Sequence, residues 1–187
     1  MDSTQTNQRQ QPQQPPYPDF PPLIESRATE YNGTGITSSV AIAGHPLHPL
    51  LVTFPVVFLT CAAASDIGYW ITGDMFWARV SLWSIGLGLV SGIIAALTGM
   101  SDFLRIPRVR KRTAGWLHLI LNVTALVLTG VNYWLRLGNM AAIIVPVGVI
   151  LSVIVAAMLG VSGWYGGELA YRHKIAVIGP GETQLED

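Results

Sequence analysis

Hydrophobic residues fill four long stretches of the chain, and each stretch lacks Asp, Glu, Lys and Arg. These uncharged stretches are residues 49–65, 80–101, 113–135 and 137–167. A helix that crosses a bilayer needs about 20 mostly apolar residues. The pattern therefore predicts four transmembrane helices, at residues 46–71, 76–100, 113–135 and 140–164. A soluble helical bundle would instead carry a polar stripe on each helix, which these stretches lack. The fold class that follows is an all-α integral membrane four-helix bundle.

The chain outside these stretches has a different composition. Residues 1–16 contain six Gln and three Pro, a composition that cannot bury an apolar core and is typical of disorder. We therefore predict three regions: a disordered Gln- and Pro-rich tail at 1–40, the transmembrane domain at 41–178 and a short C-terminal tail at 179–187.

The basic residues predict how the bundle is oriented. Nine of the eleven Lys and Arg lie before the first predicted helix, between the second and third, or after the fourth. Five of them fall within "RIPRVRKR", residues 105–112. Short basic loops stay in the cytoplasm, so both termini and this loop are predicted to be cytoplasmic. Nothing in the sequence resembles an element that reads nucleic acid, so we expect no nucleic-acid partner.

The four histidines all map to the same predicted membrane face. His45 and His48 start the first helix within "GHPLHP", His118 lies early in the third, and His173 follows the fourth. Asp102 and Glu168, at the ends of the second and fourth helices, belong to the same face. Ionisable residues inside a membrane domain usually mark a functional site. The interval from His48 to Asp102 nearly equals that from His118 to His173, which suggests an internal repeat of two helical hairpins.

Each candidate residue also has a structural interpretation. His45 could form a local hydrogen bond, and His173 could be plain surface between two cations. His48 and His118 are the stronger candidates because each lies within an apolar stretch. Asp66, near the far end of the first helix, is predicted to pair with Arg79 or Arg136. The single cysteine, Cys61, is interpreted as a small packing residue.

Several segments of the chain resemble one family. They are "GHPLHPLLVTFP" at 44–55, "SDFLRIP" at 101–107, "HLILN" at 118–122 and "GWYGGELAYRHKIAV" at 163–177. Together they resemble a family of small bacterial membrane proteins catalogued as domain of unknown function 2231, over residues 44 to about 177. Lys174 departs from the pattern, which has a Gly there. The resemblance implies a multi-pass protein of a bacterial inner (plasma) or internal membrane. Some relatives look fused to Rieske-type domains, which implies an electron-transfer setting.

Three functional hypotheses follow. The first is electron transfer by a b-type haem, with His48 and His118 as its ligands and His173 as a further candidate. The second is a non-haem metal or quinone site; imidazole and carboxylate would form a mixed shell that suits Zn, Fe or Mn. The candidate metal ligands are His45, His48, His118, His173, Asp102 and Glu168.

The third hypothesis is a non-enzymatic accessory subunit of the membrane. An electron carrier or accessory subunit is favoured over a stand-alone enzyme. The partners expected are the lipid bilayer, a redox partner or quinone, and other copies of the chain in an oligomer.

Overall fold

A computed structural model describes residues 35–178 of the chain. Most of the predicted N-terminal tail and all of the predicted tail at 179–187 lie outside the described residues. Within them, four helical segments are long and apolar enough to cross a membrane. They are the first span Leu47–Thr72, the second Met75–Arg105, the third Thr113–Arg136 and the fourth Met140–Arg172. The predicted all-α transmembrane four-helix bundle is therefore confirmed.

Residues 35–178 form seven α-helices and two π-helical segments, and all but one short α-helix belong to the spans. The first span contains α1 (Leu47–Leu51) and α2 (Thr53–Thr72), and the second is α3 (Met75–Arg105). The short α4 (Pro107–Arg110) precedes the third span, α5 (Thr113–Arg136). The fourth span runs through α6 (Met140–Ile143), a π segment (Ile144–Gly148), α7 (Val149–Gly167) and a second π segment (Glu168–Arg172). The second and fourth spans therefore continue past their predicted ends at 100 and 164.

Prolines and caps explain where the helices break. The helical pattern is interrupted at Val52. Pro55 has no backbone N–H, so the carbonyl of Leu51, next to this break, lacks its usual hydrogen-bond partner. The second span ends because Ile106 precedes Pro107 and takes an extended conformation. The first two spans are joined by a tight turn. Gly73 adopts the left-handed conformation there, and the Asp74 carboxylate accepts the backbone N–H of Phe76 at 2.8 Å.

The spans pack in cyclic order, so that each contacts the one before and the one after it, and the fourth returns to the first. The first and third spans therefore face each other diagonally across the bundle. Small residues allow close packing: an added Cβ on Gly88 would lie 2.5 Å from Leu59, and one on Gly92 would lie 2.7 Å from Leu126. The outward faces of all four spans are rich in exposed Leu, Ile, Val, Phe and Trp, as expected for a surface in contact with lipid.

The segment before the first span is part of the bundle. Strand β1 (Ile36–Thr37) pairs in parallel with β4 (Ile175–Ile178), and β2 (Ala41–Ile42) pairs with β3 (His45–Pro46). Residues 36–40 fall within the N-terminal tail predicted from the sequence. These residues are held by the pairing with β4 and by the carboxylate of Asp102, contacts between distant parts of the chain that composition does not reveal.

Candidate functional site

His48 and His118, the histidine pair, face each other across the interior of the bundle. They lie on the diagonal first and third spans, with ring centroids 6.0 Å apart and ring planes at 88°. Both side chains are half-buried. The end of the bundle that contains them is called the histidine end below.

Backbone carbonyls fix the orientation of both rings. His48 Nδ1 lies 2.9 Å from the carbonyl oxygen of Ala95, and His118 Nδ1 lies 2.9 Å from that of Ser162. A carbonyl can only accept a hydrogen bond, so each Nδ1 carries the hydrogen and each neutral ring keeps its lone pair on Nε2. Metal-ligating histidines are usually oriented in this way by a carbonyl or carboxylate.

The two histidines have equivalent environments in the two helical hairpins. In each hairpin, the imidazole of the first helix bonds to a carbonyl of the second and packs against a glycine four residues later. An added Cβ would lie 2.5 Å from His48 Cε1 at Gly99 and 3.0 Å from His118 Cε1 at Gly166. This equivalence gives the internal repeat a structural basis. A side chain at either glycine would crowd the ring, and more severely at Gly99 than at Gly166.

A cavity of about 400 Å³ adjoins the histidine pair. Its volume is in the range of 300–1,000 Å³ that is usual for ligand sites. The wall is mostly apolar and includes six glycines: Gly92, Gly99, Gly115, Gly163, Gly166 and Gly167. Glycines let a flat ligand approach the backbone closely. The polar lining comes from the two histidines, Asp102, Asn122, Ser162 and Tyr171.

Polar side chains of the third and fourth spans support His118. Asn122 Nδ2 donates to the carbonyl of His118 at 2.7 Å and to Ser162 Oγ at 2.6 Å. Ser162 Oγ lies 3.0 Å from His118 Nδ1. Asn122 follows His118 by four residues, so the two lie on the same helix face, whereas nothing in the sequence indicates Ser162. No pattern connects Ser162 to a residue 44 positions earlier.

Three other predicted metal ligands lie away from the cavity wall. His45 is exposed, and its Nδ1 bonds to the carbonyl of Ala43 at 2.8 Å within the β2–β3 hairpin. This is the local hydrogen bond that the sequence offered as an alternative. Glu168 forms an ion pair with Arg172 at 3.1 Å. His173 is buried at the end of the fourth span, where its backbone N–H donates to the carbonyl of Glu168.

Asp102 lines the cavity, but its carboxylate holds the segment before the first span. It accepts hydrogen bonds from Ser38 Oγ at 2.9 Å, from the backbone N–H of Ser39 at 2.6 Å and from Ser39 Oγ at 2.8 Å. Across residues 35–178, no three side chains among His, Cys, Asp and Glu come close enough to hold a metal ion. The six candidate ligands named from the sequence are therefore not brought together as one metal-binding group in the described part of the chain. They are spread over the cavity wall, the β2–β3 hairpin and the end of the fourth span.

The other end of the bundle contains a buried ion pair. Arg136 Nη2 lies 2.6 Å from Asp66 Oδ2, Arg136 Nη1 lies 2.8 Å from Asp66 Oδ1, and both side chains have zero exposure. This confirms Arg136 as the partner of Asp66. Ser81 and Ser152 donate to the Asp66 carboxylate, and Asn132 Oδ1 accepts from Arg136 Nε at 2.9 Å. These five residues, the ion-pair network, come from all four spans.

The histidine pair and the ion pair are related by spacing. Asp66 follows His48 by 18 residues, and Arg136 follows His118 by 18 residues. Eighteen residues make about five turns of an α-helix. His48 and Asp66 therefore lie on one face of the first span, and His118 and Arg136 lie on one face of the third. The faces of the first and third spans that meet at the histidine pair therefore also meet at the ion pair. This spacing is visible in the sequence itself.

Comparison with known proteins identifies the family of the chain. Residues 44–179 match the family described as "Predicted membrane protein (DUF2231)". No curated protein and no solved structure shows significant similarity to the chain. The matched region includes both histidines of the pair, both residues of the ion pair and all four spans. Since the match covers most of its length, the chain belongs to the DUF2231 family of predicted membrane proteins.

Proposed function

We propose that this protein is a membrane electron carrier that binds one b-type haem between His48 and His118. The observation that carries the proposal is the geometry of the histidine pair. A metal lies about 2.0 Å from a ligating imidazole nitrogen, so two imidazoles on opposite sides of one ion have ring centroids about 6 Å apart. The centroids of His48 and His118 are 6.0 Å apart.

The surroundings of the pair support the same proposal. The hydrogen bonds to the Ala95 and Ser162 carbonyls leave Nε2 of each ring as the nitrogen with a lone pair. A single iron with two histidine ligands needs no third protein group, in agreement with the lack of a larger cluster of His, Cys, Asp and Glu among residues 35–178. A bound haem would supply a one-electron couple. The protein would hold the two ligands, fix their ring orientation and surround the group with an apolar wall.

The orientation and location of the bundle belong to the proposal as well. We place the histidine end at the cytoplasmic face of a bacterial inner membrane, because residues 105–112 carry five cations at that end. The electron partner is then a quinone within the bilayer or a redox protein at the cytoplasmic face.

A reduced-minus-oxidised absorbance spectrum of the purified, haem-supplied protein tests the proposal. We expect a sharp α-band of the b type and about one haem per chain. His48→Ala and His118→Ala should each abolish the bis-histidine spectrum, whereas His45→Ala should leave it intact because the His45 ring bonds to Ala43 outside the cavity wall. Metal analysis of the same sample would reveal a non-haem site. A folded protein without haem or metal would contradict the proposal and favour an accessory role.

Gly166→Ala offers a finer test with a matched control in the same helix. An added Cβ at Gly166 would lie 3.0 Å from His118 Cε1, whereas Gly160, which does not line the cavity, has no atom within 4 Å of the corresponding position. We expect Gly166→Ala to displace the His118 ring and to weaken haem binding by about tenfold or more, because ligand geometry tolerates little displacement. Gly160→Ala should bind haem as the unmodified protein does. Equal haem content in the two variants would argue against His118 as a ligand.

A further inference from the structure

The connection between the second and third spans presents a dense group of cations. Residues 105–112, the basic hairpin, contain Arg105, Arg108, Arg110, Lys111 and Arg112. The side chains of Arg105, Arg110 and Lys111 are exposed, and that of Arg108 is half-buried. The basic residues of this segment therefore form a charged surface at the histidine end.

The basic hairpin has a fixed shape because apolar residues anchor it from below. Ile106 and Val109 are 6% exposed and pack in one cluster with Phe103 and Leu169. The backbone is also tied to the third span, since Trp116 Nε1 donates to the carbonyl of Arg110 at 3.0 Å. A fixed backbone reduces the conformational entropy that binding would cost.

The described carboxylates at this end of the bundle do not pair with Arg105, Arg108, Arg110 or Lys111. The described residues of the histidine end include two carboxylates, Asp102 and Glu168. The first holds Ser38 and Ser39, and the second pairs with Arg172. Within residues 35–178, no carboxylate forms an ion pair with Arg105, Arg108, Arg110 or Lys111. Their charge is available to an external anion.

The position of the hairpin indicates which anion it meets. Leu104 is 57% exposed and Trp116 is 47% exposed, and they flank the hairpin on the second and third spans. Exposed apolar and indole side chains at the ends of membrane helices lie at the boundary between hydrocarbon and headgroups. Only seven residues separate Arg105 from Thr113. The hairpin is therefore too short to extend far beyond the headgroup layer, and its cations lie at the depth of lipid phosphates.

We propose that the basic hairpin is a binding surface for the headgroups of anionic phospholipids in the adjacent leaflet. Each Lys or Arg near an anionic surface strengthens the attraction, and the effect weakens as salt screens it. A soluble acidic protein would have to reach the same cations through the headgroup layer, so lipid is the occupant favoured by their depth. This inference is independent of whether the protein binds haem.

Native mass spectrometry of the full-length protein in a nonionic detergent tests the proposal. Phosphatidylglycerol and phosphatidylcholine with identical acyl chains would be titrated against the protein at low and high salt. The variant Arg105→Gln/Arg108→Gln/Arg110→Gln removes three cations of the hairpin. The matched control is Arg79→Gln, which removes an exposed cation from the opposite end of the bundle. Circular dichroism would confirm that both variants are folded.

We expect the unmodified protein to bind phosphatidylglycerol about tenfold more tightly than phosphatidylcholine or better, with a preference that falls at high salt. The triple variant should lose about tenfold of this preference, and the Arg79→Gln control should keep it. Equal binding of the two lipids would overturn the proposal. A preference unchanged in the triple variant would overturn it too, as would binding of an acidic soluble protein to the hairpin without any preference for phosphatidylglycerol.

Discussion

Removal of one member of the buried ion pair should destabilise the bundle strongly, and the two single variants should differ. Asp66→Leu leaves the Arg136 guanidinium buried without its anion, and arginine cannot lose its proton in a protein. Arg136→Met leaves the Asp66 carboxylate, which can become neutral by taking up a proton and which keeps the hydroxyl groups of Ser81 and Ser152 as partners. We therefore expect Asp66→Leu to be the more damaging change.

The magnitude follows from the complete burial of both side chains. Breaking a buried pair by removing one partner costs about 3–5 kcal/mol, which lowers the ratio of folded to unfolded protein by two to four orders of magnitude. Replacing both partners by apolar residues removes the uncompensated charge. The double variant Asp66→Leu/Arg136→Met should therefore recover most of the stability lost in Asp66→Leu.

Equilibrium unfolding in mixed micelles, followed by circular dichroism, would measure these free energies of unfolding. Arg79→Met is the control, since Arg79 is exposed and its replacement should change stability by about 0.5 kcal/mol or less. A loss in both single variants no larger than that of Arg79→Met would refute the reasoning. So would a double variant in which the two losses simply add.

Two further predictions concern residues that pack against the ion pair or hold the segment that contains strand β1. Gly148→Ala should destabilise the bundle by about 1–3 kcal/mol in the same unfolding assay, because the new Cβ would lie 2.6 Å from Arg136 Nη2. Gly160→Ala, in the same span, has no atom within 4 Å of its Cβ and should be neutral or slightly stabilising. Asp102→Ala should speed hydrogen exchange at the backbone amide of Ser39 about tenfold or more, because this amide donates to the Asp102 carboxylate at 2.6 Å. Unchanged protection of that amide would show that Asp102 does not hold the segment.

The fold was predictable from the sequence because membrane helices obey a simple rule. Backbone polar groups in a bilayer must bond within the segment, so a long uncharged stretch must form a helix. The four predicted helices appear as four spans, with the largest errors at the ends of the second and fourth. The second span ends at Arg105 because the next residue, Ile106, precedes Pro107, a local signal that is separate from the hydrophobic pattern.

The candidate site was only partly predictable. The sequence selected His48 and His118 because each lies in an apolar stretch, and the structure brings these two rings together. It grouped them with His45 and Glu168, which share the same membrane face but bond to their own neighbours in the chain. The order of the spans decides at which face of the membrane a residue lies, whereas the direction of its side chain depends on the local backbone geometry.

The sequence by itself determined the four spans, the cation-rich end and the pairing of Asp66 with one of two arginines, because these follow from local composition and from the cost of burying charge. Only the tertiary structure decided that the first and third spans are diagonal and that the carbonyls of Ala95 and Ser162 orient the two imidazoles. It also decided that Ser81, Asn132 and Ser152 complete the ion-pair network. These contacts join residues up to 86 positions apart. Their geometry depends on how the helices rotate and pack against each other, and no periodicity in a single segment encodes it.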